Sequence, residues 1–118
     1  MIKHGEIYLA NLNPSKGTEP GKTRPVLIFQ AQALLEVEHP STIIIPLTTR
    51  IIKDAEPLRV HVTAQGNLQK DSDLLIDQIR AIDNRRLVGS ALVRCNKKLM
   101  QKVYFSVKQV MGIVTNSA

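Results

Sequence analysis

The sequence has few of the residues that build redox and metal sites: among its 118 residues it holds one cysteine, three histidines and no tryptophan. Cys95 is the only thiol, so an intrachain disulfide is impossible and the zinc spacings that need several Cys and His ligands are missing. His4, His39 and His61 have no histidine partner three or four positions further along the chain, so no metal site is indicated. We therefore expect a cytoplasmic protein that uses no metal or other cofactor.

Long apolar runs and nucleotide-binding motifs are missing as well. No stretch reaches the roughly 18 apolar residues of a membrane span, and Lys3, His4 and Glu6 interrupt any secretory signal segment, so we expect neither a leader nor a membrane anchor. The stretch GTEPGKT is not a P-loop, because only three residues separate its glycines and a strand pattern follows it. No G-x-S-x-G motif is present.

Charge gives the first positive indication of a partner. Sixteen Lys and Arg against ten Asp and Glu leave a net charge of +6, which favours polyanions such as nucleic acid. A basic protein with no such partner is the alternative, because net charge does not determine fold or function. The length suits one domain, which we expect to span 1–118.

The hydrophobic pattern of most of the chain is typical of β-strands. Period-two or continuous apolar segments predict at least five strands, at 6–12, 25–29, 42–48, 58–63 and 73–82, with a further short strand near 91–93. In 58–63 we expect Leu58, Val60 and Val62 to face the core. A turn-rich connection follows the first strand, and it is long enough to indicate a functional loop.

The last segment changes to a helical period. Its apolar residues recur every three to four positions, at Leu99, Val103, Val107, Val110 or Met111, and Val114. Asn96 precedes them at the place of an N-cap. The fold class predicted from the residues is mainly β, a compact twisted sheet or barrel closed by one C-terminal helix.

Cationic and hydroxyl side chains gather at the ends of the predicted strands. Lys22 and Arg24 precede the strand at 25–29, and Thr48 and Thr49 end the strand at 42–48. Guanidinium groups bind phosphate and stabilise charge on a phosphoryl oxygen, and threonine hydroxyls donate or accept at short range. These groups suit RNA cleavage without a metal, because the ribose 2′-OH serves as the nucleophile. Taken singly, each is more typical of a solvated charge or a turn hydroxyl.

Acidic residues occur in two places. Asp77, with Gln78 and Arg80, lies within the segment predicted as the strand at 73–82, where a surface ion pair is the alternative to a site. Asp71 and Asp73 precede or begin that strand, and we expect them in a solvated turn.

Three blocks of the sequence resemble the MazF/PemK family of toxins from bacterial type II toxin–antitoxin systems: GEIYLANLNPSKGTEPGKTRPVLIFQ, IIIPLTTR and DLLIDQIRAIDNRRL. They occur in order and span nearly the whole chain. The resemblance implies an SH3-like β-barrel with a C-terminal helix and a homodimer. It also implies a metal-independent, sequence-specific endoribonuclease for single-stranded RNA that is silenced by an antitoxin with an acidic C-terminal segment.

The resemblance also implies roles for single residues. Arg24 is expected to stabilise the pentacovalent phosphate or protonate the leaving 5′-oxygen, and Thr48 to be the catalytic hydroxyl. The residues expected to bind RNA or complete the site are Glu19, Lys22, Thr49, Asp77, Gln78 and Arg80. Glu19 and Asp77 are both candidates for the general base, which the sequence leaves open.

Two other functions fit parts of the pattern. A gyrase poison of the CcdB branch shares this type of fold but acts through a tail that contains tryptophan, which this sequence lacks. A non-catalytic RNA-binding barrel is the second alternative. With two tyrosines and two phenylalanines, the chain has few groups on which bases can stack, so RNA recognition is expected to depend on hydrogen bonds and groove shape.

Overall fold

The computed structural model describes residues 1–14, 16–19 and 21–114, and these form seven strands and two helices. Ser15 and Pro20 of the predicted turn-rich connection lie outside the described residues. The strands are β1 (Glu6–Asn11), β2 (Thr23–Ile28), β3 (Ser41–Thr48), β4 (Arg59–Val62), β5 (Ser72–Leu75), β6 (Arg80–Asp83) and β7 (Leu87–Arg94). The helices are α1 (Gln32–Glu36), which the sequence did not predict, and α2 (Lys97–Val110).

The strands form one antiparallel sheet in the order β4-β5-β3-β2-β1-β7, with β6 also paired to β3. Within the described residues the end strands β4 and β7 do not pair with each other, so the sheet stays open. The predicted mainly β fold with a C-terminal helix is confirmed, whereas the term barrel describes this sheet only loosely.

The sheet is covered on both faces. On one face α2 packs through Val103 and Val107 onto residues such as Ile45, Leu47 and Leu74. On the other face a second buried cluster forms around Val26, Ile28 and Ile44, with Leu35 of α1 packed into it. The alternation predicted for β4 is correct for Val60 and Val62 but wrong for Leu58, which precedes the strand and is 51% exposed.

The predicted strand at 73–82 is two strands separated by a 3₁₀ turn at Ile76–Gln78. The carbonyl of Ile43 accepts hydrogen bonds from the Phe29 and Gln30 N–H groups, so Ile43 faces β2. By alternation Pro46 faces the opposite edge of β3, where β5 and β6 pair, and it has no N–H to donate there. The pairing is interrupted beside this gap, and Asp77 and Gln78 therefore lie in a turn and not on a strand.

Helix α2 begins as the sequence predicts, because the Asn96 side chain accepts a hydrogen bond from the Leu99 N–H at 2.8 Å. It ends at Val110, so the periodic pattern overestimated its length: Met111 and Val114 are exposed. No helix in the described part of the chain is long and apolar enough to cross a bilayer.

The thiol of Cys95, which lies between β7 and α2, should be protected by the fold. It is 7% exposed, and burial raises its pKa from 9.0 to about 11. The reactive thiolate is then about a hundredfold scarcer at neutral pH than in the unfolded chain. We expect native protein to react with Ellman's reagent at least about tenfold more slowly than protein in guanidinium chloride. Equal rates in the two states would contradict this burial.

Candidate active site

The guanidinium of Arg24 is fixed at the start of β2 by two backbone carbonyls. Its Nε donates to the Gly21 oxygen at 2.9 Å and its Nη1 to the Leu47 oxygen at 3.3 Å. Partial burial lowers the pKa of Arg24 from its ordinary value, although a guanidinium stays protonated near neutral pH. The N–H groups of Arg24 that make neither of these two bonds are available to donate to an anion.

Arg24 lines a cleft of about 510 Å³ at the ends of β2 and β3. In the pairing of β2 and β3, Val26 lies opposite Pro46. If the same antiparallel register is continued by two residues in each strand, Arg24 comes to lie opposite Thr48. The structure thus brings together four of the predicted site residues. The cleft is lined by Lys22, Thr23, Arg24, Pro25, Leu47, Thr48, Thr49, Arg50 and Ser72.

The chain on both sides of the cleft is held by side-chain to backbone hydrogen bonds. Lys22 has a left-handed backbone with φ of 64°, and its N–H donates to Asn13 Oδ1 at 2.7 Å. At the end of β3, Thr48 Oγ1 accepts from the Arg50 N–H at 3.2 Å, which is the bond of a threonine turn. Hydrogen bonds to nearby side chains therefore fix the backbone from which Lys22, Thr49 and Arg50 extend.

The side chains of Glu19 and Arg80, which carry opposite charges, lie near each other. Glu19 Oε2 is 3.7 Å from Arg80 Nη1, which is too long for a hydrogen bond, and the Glu19 side chain is 45% exposed. Among the described residues Nη1 of Arg80 is buried and has no hydrogen-bond partner. A buried guanidinium nitrogen without an acceptor costs free energy, so a ligand that supplies an anionic oxygen there would be favoured.

The structure places Asp77 and Gln78 apart from Arg24. They line a second cleft, of about 420 Å³, together with Thr18 of the connection between β1 and β2. The eight predicted residues therefore fall into three groups: the cleft at Arg24, the Glu19 and Arg80 pair, and the second cleft.

Two polar residues close to the Arg24 cleft were missed by the sequence analysis. The sequence pattern gives no signal for Arg50 beyond its position directly after the two threonines. Asp73 was expected in a solvated turn with Asp71, but it lies on β5 and is 2% exposed. The sequence signal for this burial was the position of Asp73 between the strand residues Ser72 and Leu74, because a carboxylate inside a buried strand requires partners.

The chemistry of the cleft matches a phosphate. Its lining contributes three cationic side chains, from Lys22, Arg24 and Arg50, and several hydroxyls, but no carboxylate. Within residues 1–14, 16–19 and 21–114, no group of three or more His, Cys, Asp and Glu side chains is arranged to hold a metal ion. The geometry therefore offers anion binding and proton donation around one phosphoryl group.

Comparison with known proteins gives consistent results for sequence and structure. A family profile described as "PemK-like, MazF-like toxin of type II toxin-antitoxin system" matches residues 3–111. The chain is 34% identical over 116 residues to "Endoribonuclease MazF" of Staphylococcus saprophyticus, an alignment that covers 98% of this chain and 95% of that relative.

Solved structures with the same fold come from several bacteria. MazF (Form-I) from Deinococcus radiodurans superposes with a TM-score of 0.78 at 21% identity, covering 95% of this chain and 97% of that one. The Mycobacterium tuberculosis toxin MazF-mt6 gives 0.76 at 19% identity, covering 93% and 99%. MazE-MazF (Form-II) from D. radiodurans gives 0.73 at 21% identity, covering 96% and 97%. At these identities the likeness shows the fold.

Proposed function

The chain belongs to the PemK-like, MazF-like toxins of type II toxin–antitoxin systems, and on that premise we propose that it is a cytoplasmic endoribonuclease. It cleaves single-stranded RNA at specific sequences without a metal ion, and so stops translation and growth. The observation that carries the proposal is the cleft in which the fixed guanidinium of Arg24 faces the hydroxyl end of β3.

The reaction that suits this cleft is transfer within the RNA backbone. The 2′-oxygen of the ribose attacks the adjacent phosphorus and loses its proton to a base, while the bond from phosphorus to the 5′-oxygen breaks and that oxygen gains a proton. The products are a 2′,3′-cyclic phosphate and a 5′-hydroxyl. The protein has to position the phosphate, stabilise its negative charge and move two protons.

In this proposal Arg24 is the principal catalytic group. Its guanidinium is already oriented by the Gly21 and Leu47 carbonyls, so little reorganisation accompanies charge development on the phosphoryl oxygens. Thr48 donates a hydrogen bond to the same group. The base that takes the 2′ proton is Glu19, Asp77 or another group, as the resemblance leaves open.

The other predicted residues bind the RNA on either side of the cut. Lys22 and Thr49 lie in the same cleft as Arg24. Asp77 and Gln78 border the second cleft, and the buried Nη1 of Arg80 needs an acceptor that an RNA phosphate supplies. With few aromatic residues, recognition of the RNA sequence relies on hydrogen bonds and the shape of the two clefts.

The chemistry predicts products that can be read from their ends. Cleavage of a synthetic oligoribonucleotide should proceed in EDTA and leave a 2′,3′-cyclic phosphate and a 5′-hydroxyl, because the 2′-OH attacks and the stabilising charges come from the protein. Mass spectrometry of the fragments measures both ends. A 3′-hydroxyl product, or complete inhibition by EDTA, contradicts the mechanism, and RNA that is bound but never cut indicates a non-catalytic RNA-binding protein.

Replacement of Arg24 by alanine should reduce the cleavage rate by at least about a hundredfold, the scale expected for loss of one preorganised donor to the reacting oxygen. Thr48→Ala should also be slow. His39→Ala is the control, since its exposed side chain lies outside the clefts. Single-turnover cleavage gives the rates, and circular dichroism checks the fold. Wild-type rates for folded Arg24→Ala would place the active site elsewhere.

We further propose that the toxin is a homodimer silenced by an antitoxin. The family pairs toxins with antitoxins, and the Deinococcus MazE-MazF structure has the same fold as this chain. An acidic, partly disordered C-terminal segment of the antitoxin would fold onto the surface of Lys22, Arg24 and Arg80, with apolar side chains near the dimer seam. That surface also binds the RNA phosphates.

RNA and the acidic antitoxin segment should therefore compete, and both should bind more weakly as salt rises. Lys22→Gln should weaken the binding of both ligands, whereas Lys108→Gln, which removes the same charge from α2, should weaken neither. Fluorescence anisotropy of labelled RNA, titrated with antitoxin at low and high salt, measures the effect. If a stoichiometric toxin–antitoxin complex cleaves RNA at the full rate, the shared surface is wrong.

A further inference from the structure

A buried carboxylate lies on the strand next to the end of β3 and does not line the Arg24 cleft. It borders another cleft, of about 600 Å³, with Ile52, Arg59 and His61. Asp73 on β5 pairs with Thr48 on β3, and its side chain is 2% exposed. A buried charge is costly unless hydrogen bonds and opposite charges compensate it, so the partners of Asp73 indicate what it stabilises.

Asp73 contacts three groups through its two oxygens. Oδ2 accepts from the Ile52 N–H at 3.0 Å and lies 3.4 Å from Arg59 Nη1. Oδ1 lies 3.3 Å from His61 Nδ1 on β4. The same Arg59 nitrogen donates to the Arg50 carbonyl at 2.6 Å. Asp73 and Arg59 thus bind the backbone of 50–52 at two points.

Residues 49–58 are not part of a helix or a strand, and the far end of this segment is held by the Ile76 N–H, which donates to the Leu58 carbonyl at 3.0 Å. The position of the segment therefore depends on contacts such as these. The segment begins where β3 ends, and it carries Thr49 and Arg50 into the cleft next to Thr48. The hydrogen bond from the Arg50 N–H to the side-chain Oγ1 of Thr48 links the anchored segment to the predicted catalytic hydroxyl.

We propose that Asp73, acting together with Arg59, is a positioning residue for RNA cleavage. It does not touch the substrate; it holds the backbone of Arg50 and Ile52, and thereby sets Thr48, Thr49 and Arg50 against the phosphate that Arg24 binds. The inference rests on the proposed function, because its effect is on the rate of cleavage. Small displacements of catalytic groups lower rates steeply, by up to about a hundredfold for an ångström.

The main variant is Asp73→Asn, which keeps the shape but replaces one acceptor oxygen by an amide NH2 donor and removes the charge that faces Arg59. We expect the single-turnover rate at saturating RNA to fall at least about tenfold, with the RNA Kd changed by less than about threefold. The Ile52 amide should exchange its hydrogen faster, because its acceptor is weakened.

The matched control is Asp71→Asn, which removes the same charge two positions away. The Asp71 side chain is about half exposed, and its Oδ1 accepts from the Ala64 N–H at 2.8 Å, a bond that the oxygen of asparagine can keep. This variant should cleave RNA at the wild-type rate. A loss in Asp71→Asn as large as in Asp73→Asn would mean that general charge, not anchoring, sets the rate, and would overturn the proposal.

Arg59→Met tests the other half of the anchor and serves even if Asp73→Asn does not fold. Because Arg59 also lines the second cleft with Asp77 and Gln78, the RNA Kd is measured beside the rate, and a loss of RNA binding without a change in Ile52 exchange would contradict the anchoring role. Arg59→Met should show the same loss of rate as Asp73→Asn, and Arg59→Lys should recover part of it. The double variant Asp73→Asn/Arg59→Met should be no slower than the slower of the two single variants, as expected for residues that act as one unit. Wild-type rates and unchanged Ile52 exchange in folded Arg59→Met would overturn the proposal.

Two further outcomes separate this inference from the function on which it rests. If the wild-type protein does not cleave RNA, the proposed function fails, while Ile52 exchange in the wild type and variants still decides whether Asp73 anchors 50–52. If the variants lose thermal stability but their folded fraction cleaves at the wild-type rate, Asp73 has only a structural role and the positioning proposal is wrong.

Discussion

The cleft depends on the pairing of β3 along both of its edges. One edge pairs with β2, and the other pairs first with β5 and then with β6. The end of β3 therefore lies between the start of β2, which carries Arg24, and the strand that carries Asp73. Strand pairing therefore fixes the backbones of Arg24, Thr48 and Asp73, whereas Lys22, Thr49 and Arg50 lie just outside the strands and depend on hydrogen bonds to side chains.

Charge is separated across this part of the sheet. The cleft presents Lys22, Arg24 and Arg50, and the carboxylate of Asp73 is buried on β5 against Arg59 and His61. Since its own partners balance that carboxylate, the cleft keeps its positive potential. An exposed carboxylate at the same place would repel an incoming phosphate.

Local sequence signals predicted what depends on neighbours in the chain. The alternation of Val60 and Val62 in β4, the apolar run of β3 and the Asn96 cap are local, and the structure agrees with them. The turn at Ile76–Gln78 was missed because its cause lies in another strand, at Pro46. Asp73 was misplaced because its partners, Ile52, Arg59 and His61, come from other segments. Leu58 was assigned inward because the pattern does not show where β4 begins.

The hydrogen bond at Thr48 gives its hydroxyl a direction. The Arg50 N–H engages one of the two lone pairs of the oxygen, so the hydroxyl hydrogen and the second lone pair are left for other contacts. Because the backbone turn after Thr48 holds its oxygen, a shift of that turn would turn the hydroxyl as well.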